Sequence, residues 1–556
     1  MKPQKSKTQR DKEADETIRA QEALMTSRGN WEQTWEAIAL RIFTNYAGHF
    51  QTHNLSNPAS GQQRTTEMVD TTGANALIRF AAAMESMLTP RNSRWHHLGP
   101  SDSVLKRDRS TRLWFENLTN VLFEYRYAPK ANYASQKHEE YMGLGAFGTG
   151  CQFIDPLQFF GEKGIRYRNM HLGQIYFKEN HQGIIDTAYR RFSYTARQAV
   201  QRFRKEVLPA AILDDADSAK NSEKPHFFIH CVKPRGDYDA GRLDLYGMRY
   251  ESHYVSLTER TMLGEHGYHT FPYTISRYVT APNETYGRSP AMMALPSLRL
   301  LNEQKKIYIK QGHRISDPIL LAHDEGILDM VSLRPGSGVA GGVSADGKLL
   351  VQPLPTGNVG VTLEMMQEEK EAINDFFLVS LFQILVDTPA MTATEVVERA
   401  REKGALLSPT MGRQQSEALG PQIEREIDVL QSLGLVPPMP PMLLQARGEY
   451  TVQYDSPLSR MAKAEESAGF MQTLDWVKEI VAVTQNPEPL DHFNFDVAIP
   501  GVAENRGVPE SWMNSAASVE QKRKGRQQAQ QTQQMIDAAP AAASAMKTMM
   551  PKGRAA

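Results

Sequence analysis

The chain has 556 residues, 40% of them hydrophobic and 23% charged, with a formal net charge of -1. This length exceeds a single core, so several folding units are expected, and the composition excludes global disorder. The charge balance argues against a protein that holds DNA by bulk electrostatic attraction, because such proteins carry a strong basic excess.

Cysteine content and hydropathy indicate the compartment. Cys151 and Cys231 lie far apart and match no disulfide framework or metal spacing, so a reducing compartment is expected. Residues 1–10 are rich in Lys and Gln with no apolar run behind them, so no secretory signal is predicted. The most apolar stretch, residues 376–386, has 11 residues, whereas a membrane span needs about 20. No membrane partner is therefore expected.

Helical patterns dominate residues 11–146. Apolar side chains recur at spacings of four, three and four near the start: Trp31, Trp35, Ile38 and Ile42. This spacing puts them on one helix face that packs on a core. Two further helices are predicted, over residues 74–88 and residues 108–125, the first ending before Pro90 because the residue before a proline avoids helical geometry.

The sequence pattern changes from helical to strand-like between residues 151 and 280. Short runs rich in Ile, Tyr, Phe and Val alternate with Gly, Asn and Asp, which predicts an antiparallel sheet or a small barrel. A helix over residues 195–207 interrupts the strands. The polar stretch 214–224 is predicted to be an exposed loop.

Residues 289–386 give the clearest prediction of architecture in this sequence. Ser289 followed by Pro290 is a typical helix start, and a helix of roughly 38 Å is predicted to end at residue 316. A weakly β, Gly/Pro-rich segment spans residues 317–360. A second helix of nearly equal length is predicted over residues 361–386. Two matched helices around a small insert predict a paired-helix arm.

The two arm helices carry opposite charge. Five cations and one anion give the first helix +4, and one cation and five anions give the second -4. The cations that share one face of the first helix are Arg299, Lys306, Lys310 and Arg314. The anions that share one face of the second are Glu364, Glu368, Glu371 and Asp375. A solvated face is the common explanation of such a stripe, but matched length and opposite sign favour a function.

The remaining third of the chain is mostly helical. A short break at residues 387–391 precedes further helices, one of them over residues 417–433. A short strand near residue 452 precedes a helix over residues 458–481. The tail, residues 519–556, is basic and rich in Gln and Ala, and is predicted to be helical at its start and disordered beyond.

Two glycine patterns look like nucleotide sites but lack the context. Gly143, Gly145 and Gly148 form G-x-G-x-x-G, yet a helix precedes and a strand follows, the reverse of the dinucleotide arrangement. A tight helix-to-strand crossing is predicted instead. Gly347 and Lys348 nearly complete a P-loop, but Leu349 replaces the required Ser or Thr, so a β-turn at residues 346–347 is predicted.

The sequence offers no candidate for catalysis. The histidines, for example His96, His97, His138 and His171, lack the neighbouring residues of a metal-binding motif. No nucleophile elbow occurs in the sequence. No catalytic residue, metal ligand or cofactor is therefore predicted.

Several strings, in their order along residues 30–530, resemble the head-to-tail connector (portal) family of short-tailed bacteriophages. They are WEAIALRIF at Trp35, DTTGANA at Asp70, FAAAMESMLTPR at Phe80, YGRSPAM at Tyr286, TATEVVER at Thr392, YDSPLSRM at Tyr454 and GVPESW at Gly507. The resemblance implies an α+β portal fold and a nonenzymatic structural role. It also implies a homo-oligomeric ring, typically of twelve subunits, with a central tunnel for double-stranded DNA.

The regions of such a subunit can be assigned to this sequence. The assignments are residues 1–288 as a wing containing a small antiparallel β domain at 151–280, 289–316 and 361–386 as the two stem helices, 317–360 as an α/β clip, 387–455 as tunnel loop and wing helices, 456–518 as a helical crown, and 519–556 as the tail. The tunnel loop consists of Asp387, Thr388, Pro389, Ala390 and Met391. The basic stripe becomes a candidate for the DNA channel and the acidic stripe a candidate for inter-subunit contact.

The resemblance also implies partners and a location. The partners are the terminase motor during filling, tail adaptor proteins afterwards, and the major capsid and scaffolding proteins. The expected location is the portal vertex of the virion, after assembly in the host cytoplasm. Two alternatives remain open: a nucleotide-dependent motor or nuclease, and another ring-forming head or tail protein, such as an adaptor or internal core component.

Overall fold

The computed structural model describes residues 7–50, 61–102, 104–157, 161–322, 342–355, 359–379, 409–445, 448–455, 457–486, 488–505 and 508–549. The helices are α1 Lys7–Ser27, α2 Gly29–Ile42, α3 Thr72–Leu88, α4 Arg109–Arg126, α5 Tyr133–Phe147, α6 Ala196–Arg202, α7 Ala210–Asp217, α8 Pro290–Ser316, α9 Val359–Phe376, α10 Gly420–Ser432, α11 Pro441–Gln445, α12 Pro457–Thr484, α13 Phe495–Asn505 and α14 Ala516–Met549. The strands are β1 His96–Pro100, β2 Thr149–Pro156, β3 Ile165–Asn169, β4 Ile175–Glu179, β5 Ile185–Thr195, β6 Pro225–Pro234, β7 Tyr250–Ser256, β8 Thr261–Tyr268, β9 Tyr273–Arg277, β10 Leu320–Ala322, β11 Val351–Pro353 and β12 Tyr450–Tyr454.

The chain divides into two compact units. Unit 1 comprises Met1–Arg94 and Leu122–Val436, and unit 2 comprises Trp95–Val121 and Pro437–Ala556. In unit 2, β1 pairs antiparallel with β12, which lies more than 340 residues later in the chain. Strand β1 was not predicted from the helical patterns before residue 146, because its short sequence HHLGP has no alternation of its own.

Among its described residues, unit 1 contains two larger antiparallel sheets and the short pair of β10 and β11, which confirms the predicted α+β class. Strands β4 to β8 form a five-stranded sheet in sequential order, and β2 lies between β3 and β9 in a three-stranded sheet. The sequence of β8 gives no clear strand signal, because TMLGEHGY is interrupted by two glycines and two charged or polar residues.

Helices cover both faces of the five-stranded sheet. On one face, Phe192, Phe228 and Tyr254 pack with the buried side chains of α6 and α7. On the other face, Tyr189 and Ile229 pack with α1. Successive side chains of a strand point to opposite faces, so each strand contributes to both layers.

Helix α7 corrects the prediction of an exposed loop over residues 214–224. Residues 214–217 belong to this helix, and only the residues beyond it form turns. Ile212 is fully buried in the core of the sheet, with Leu213 and Ala216 partly buried beside it. This apolar contact stabilises a helix that the polar composition of the segment does not favour.

Helix α14 covers the start of the basic tail, where a helix is predicted, and residues 550–556 lie outside the described residues. It continues as one helix to Met549. Ala, Gln, Lys and Met, which dominate this segment, have high intrinsic helix propensity.

Within the described part of the chain, no helix is both long and apolar enough to cross a lipid bilayer.

A buried ion pair joins the end of α4 to α10 inside unit 1. The guanidinium of Arg126 and the carboxylate of Glu426 are both fully inaccessible, with Nε lying 3.1 and 3.2 Å from the two carboxylate oxygens. Tyr167 and Gln422 each donate a hydrogen bond of 2.8 Å to the same carboxylate. These donors offset part of the cost of taking the charges out of water.

Replacing Glu426 by Gln is expected to lower the free energy of unfolding of unit 1 by about 3–5 kcal/mol, because Arg126 would remain buried without a counter-charge. Urea unfolding followed by circular dichroism measures the effect. The control is Glu162→Gln, which removes the exposed pair with Lys130 and should change stability by less than about 1 kcal/mol. Equal effects of the two substitutions would contradict the prediction.

Candidate functional site

Helix α8 begins at a cap that is tied to α5. The hydroxyl of Ser289 accepts a hydrogen bond of 3.0 Å from the backbone N–H of Met292 and donates one of 2.8 Å to the carbonyl of Ala146. Pro290 occupies the first helical turn, where a missing N–H costs nothing. The predicted start of the first arm helix is therefore confirmed, and its position is determined by α5.

Two glycines allow close approaches near the end of α5, Gly148 to the backbone just before α8 and Gly145 to side chains of α3. A Cβ on Gly148 would lie 2.2 Å from the carbonyl oxygen of Gly287, and Gly148 has a φ of +75°. A Cβ on Gly145 would lie 2.7 Å from side-chain atoms of Leu77 and Phe80 on α3. The glycine motif is thus a helix-to-strand crossing with close backbone contact, as predicted.

The first half of α8 packs in unit 1 against α2, α3 and α5. Its buried residues end at Gln304, and every residue from 305 to 316 is half-buried or exposed. The buried amide of Asn302 accepts hydrogen bonds from the backbone N–H groups of Val69 (2.9 Å) and Asp70 (3.0 Å), just before α3. The helix is therefore anchored over about half of its length.

Helix α9 packs along α8 and also contacts α3. Its buried side chains, Met366 and Ile373, lie on one face. At 27 and 18 residues, the two helices are about 40 and 27 Å long. Their far ends are joined by the antiparallel pair of β10 and β11. This arrangement is the paired-helix arm that the sequence predicts.

The second arm helix, predicted to run to residue 386, is interrupted after residue 376, and residues 380–386 lie outside the described residues. It ends at Phe376, and residues 377 and 378 form a turn. Leu378 has a φ of +56°, in the left-handed region that interrupts a right-handed helix. Phe377 is fully buried and contacts Phe80 on α3, with ring centroids 6.3 Å apart. Tertiary packing, which the apolar run FFLVSLFQILV does not reveal, ends the helix here.

The basic stripe lies on the uncovered side of α8. Arg299, Lys310 and Arg314 are exposed, and Lys306 is half-buried. Lys306 donates a hydrogen bond of 2.8 Å to Glu303, which raises the pKa of Lys306 and lowers the pKa of Glu303. Both groups therefore remain charged near neutral pH, and the stripe keeps its net positive charge.

The acidic stripe lies on the uncovered side of α9. Its four members, Glu364, Glu368, Glu371 and Asp375, are all exposed. Glu371 accepts a hydrogen bond of 2.9 Å from Gln367 one turn earlier. The two predicted stripes thus lie on adjacent helices of one arm, each on a face that its own chain leaves open.

The predicted tunnel-loop residues, Asp387 to Met391, lie outside the described residues. The described chain resumes at residue 409 and forms a π-helical turn at Gln415–Leu419. Arg277 holds this turn through two hydrogen bonds to Glu417, of 2.9 and 3.0 Å. Gln414 donates to the carbonyl of Arg277 at 2.8 Å. The chain that leaves the predicted loop is therefore fixed to the end of β9.

The segment between the arm helices forms the predicted turn. Residues 345–347 turn with the N–H of Gly347 donating to the carbonyl of Ser344 at 2.9 Å, and Gly347 has a φ of +77°. No helix follows Lys348 in the described residues up to 355, so the arrangement of a P-loop is not formed there.

Among the residues that the structure describes, one group has the atoms of a metal site. Oxygen and nitrogen atoms of Glu251, His253 and Glu265 lie within 4.8 Å of one another. Lys233 lies 3.1 Å from Glu251, and Arg235 lies 3.3 Å from Glu265. Although burial alone lowers it, the pKa of Lys233 is raised by the adjacent Glu251. Two cations already neutralise the carboxylates, so the group does not favour a metal ion.

Two features of the arm were missed from the sequence. The role of Asn302 could have been predicted from the sequence, because this polar residue follows Leu301 directly on the buried side of the helix. The second feature is a set of apolar side chains that remain exposed on the arm, including Leu300, Ile307 and Met365. The sequence does not predict this exposure, because it depends on which face α8 and α9 bury.

Comparison with known proteins agrees with the resemblance noted above. Residues 14–513 match the family described as bacteriophage head to tail connecting protein, and the chain belongs to that family. It is 27% identical over 523 residues to the probable portal protein of Bordetella phage BPP-1, covering 92% of each chain. It is 27% identical over 538 residues to the portal protein of Salmonella phage epsilon15, covering 95% of this chain and 93% of that protein.

Replacing Gly148 by Ala is expected to destabilise unit 1 by about 2 kcal/mol or more, because the new Cβ meets the Gly287 carbonyl and the left-handed φ is strained. Thermal unfolding measures the loss. The matched control is Gly312→Ala on α8, where a Cβ meets nothing within 4 Å, and a gain of up to about 1 kcal/mol is expected. A Gly148→Ala variant as stable as the parent would contradict the role of the close approach.

Proposed function

We propose that this chain is the portal subunit of a bacteriophage. Copies of it form a ring at one vertex of the capsid, through which DNA passes during packaging and ejection. The family match over residues 14–513 and the two relatives named as portal proteins support this proposal. The structural observation that carries it is the paired-helix arm of α8 and α9, which has oppositely charged open faces.

The regions of the subunit follow from that arm. The helices α8 and α9 form the stem, the segment between them forms the clip, and residues 387–391 form the tunnel loop. The elements before Ser289 form most of the wing, and residues 456–518 form the crown. A ring of twelve subunits would repeat each of these elements around the channel.

The charge of the chain suits a channel through which DNA must slide. Each phosphate neutralised by a Lys or Arg adds to a sequence-independent affinity, so a strongly basic lining would hold the DNA in place. A net charge of -1 with a few cations repeated around the ring permits weak contact without base recognition. The four residues of the basic stripe can either line the channel or contact the acidic stripe of the next copy.

The proposed partners are those of a portal. The clip faces the terminase motor during filling and the tail adaptor afterwards, while the wing contacts the major capsid and scaffolding proteins. The ring assembles in the host cytoplasm and remains in the virion. We assign no catalytic activity to the chain, and purified protein is expected to hydrolyse no ATP above background, whereas a packaging motor would do so.

Negative-stain imaging of the purified protein tests the proposal directly. The expected result is a ring with an axial hole, seen in end views with rotational symmetry. Mass photometry of the same sample gives the number of copies per particle. A monomer, or a particle without an axial opening, would exclude the portal role and favour another head or tail component.

Replacing Lys306 and Lys310 by Glu is expected to impair packaging or retention of DNA while the isolated subunit stays folded, because both side chains lie on the open face of α8. Genome content of particles made with the variant is the measurement. The control is Lys205→Glu with Lys220→Glu, two exposed lysines outside the arm. Normal filling by the arm variant would remove both lysines from the functional site.

A further inference from the structure

The open face of α8 carries a row of apolar side chains. Met293, Leu300 and Ile307 follow one another at intervals of seven residues and are 50%, 45% and 51% exposed. Single apolar side chains on a surface are ordinary. A row at intervals of seven lies along one line of the helix and is typical of a seam between helices.

The apolar row runs beside the basic stripe. Leu300 directly follows Arg299, and Ile307 directly follows Lys306. Successive residues of an α-helix are about 100° apart around the axis, so the two rows are neighbours on the open side. The open face of α8 is therefore half cationic and half apolar.

Helix α9 repeats this pattern with the opposite charge. Met365 directly follows Glu364, and Phe376 directly follows Asp375, with exposures of 48% and 38%. Ala372, which follows Glu371, lies between them on the same line. On both helices, then, the apolar row lies about 100° beyond the charged row in the direction of the chain.

The common order of the rows decides how two such helices can meet. Viewed along one axis, the residues of two antiparallel helices progress in opposite rotational senses. The order of the rows on one helix is therefore the mirror image of the order on the helix that faces it. Charged row then meets charged row, and apolar row meets apolar row. A parallel contact would place the charges of each helix against the apolar row of the other, which is unfavourable for both.

The rows also match along the axis. Arg299, Lys306 and Lys310 are separated by seven and four residues, and so, in reverse order, are Asp375, Glu368 and Glu364. An antiparallel contact therefore places three cations opposite three anions in one register. The same register brings Glu303 level with Glu371. Lys306 neutralises Glu303 on its own helix at 2.8 Å, and Glu371 accepts a hydrogen bond of 2.9 Å from the neutral amide of Gln367.

One chain cannot form this contact with its own two helices. Within the chain, α8 buries Leu298 and Leu301, and α9 buries Met366 and Ile373. On each helix these buried residues lie on the side opposite the open rows, so the open rows of one chain are not the surfaces that its own two helices bury. The complementary surface must come from a second copy, in which α9 runs antiparallel to α8.

We infer that the basic and apolar rows of α8 bind the acidic and apolar rows of α9 in the next copy of this chain. The inference rests on the proposed function, because the contact joins two different surfaces and such a contact closes into a ring when the rotation permits. It places Lys306 and Lys310 in the interface. Arg314 lies one turn beyond the last pair, level with the uncharged Gly360, and is the cation left for the channel.

Disulfide cross-linking tests the contact. Purified assemblies that combine Ile307→Cys and Met365→Cys in one chain should give a ladder of covalent multimers on oxidation, while either variant alone stays monomeric on a denaturing gel. The native Cys151 and Cys231 are buried and leave the background low. The control replaces Ile309, which is exposed about 200° away from Ile307 on α8, and combined with Met365→Cys it should give no ladder.

Charge exchange provides a second readout. Lys306→Glu with Lys310→Glu should abolish assembly or reduce it at least tenfold, and adding Glu364→Lys with Glu368→Lys should restore the rings. Lysines that act only on DNA would leave assembly intact and would gain nothing from the second pair. Sedimentation velocity measures the fraction assembled in each variant.

The outcomes separate this inference from the proposed function. Rings that show the ladder and the rescue support both. Rings that lack the ladder, or that assemble normally after the first charge exchange, overturn the helix contact and leave the portal role standing. Parent protein that forms no ring overturns the portal role itself.

Discussion

The antiparallel packing of α8 along α9 is the contact on which the rest of this structure depends. Each helix buries one face, through Leu298 and Leu301 on α8 and through Met366 and Ile373 on α9. A helix that buries one stripe exposes the opposite one, so the packing of α8 on α9 and on α2, α3 and α5 decides which charges and which apolar side chains remain open. The anchorage of α8 at Ser289 and Asn302 then holds these open faces in place relative to unit 1.

Charge is distributed in this protein by helix rather than by domain. The chain is almost neutral as a whole, yet the two arm helices carry +4 and -4 on their respective segments. Such a separation gives directional attraction between copies without a large overall field, and it does not raise the affinity for a polyanion. A ring around DNA requires both properties, since its subunits must hold one another while the DNA moves.

Buried polar contacts fix other elements of unit 1. Arg126 and Glu426 join α4 to α10, and Arg277 holds the π-helical turn that follows the predicted tunnel loop. Paired and hydrogen-bonded groups of this kind are costly to break singly, because the remaining partner stays buried with its charge. The described chain that resumes at residue 409 is therefore attached to a well-packed part of unit 1.

The sequence by itself determined the features that follow from local pattern: the α+β class, the start of α8 at a Ser-Pro cap, the strands between residues 149 and 277 other than β8, the charge stripes, and the glycine crossing at Gly148. It did not determine the end of α9 at Phe376, the pairing of β1 with β12, or helix α7. Those depend on contacts between residues far apart in the chain, such as Phe377 with Phe80, which no local periodicity records. Only the tertiary structure decided which face each arm helix buries, and for the same reason it alone revealed the open apolar rows.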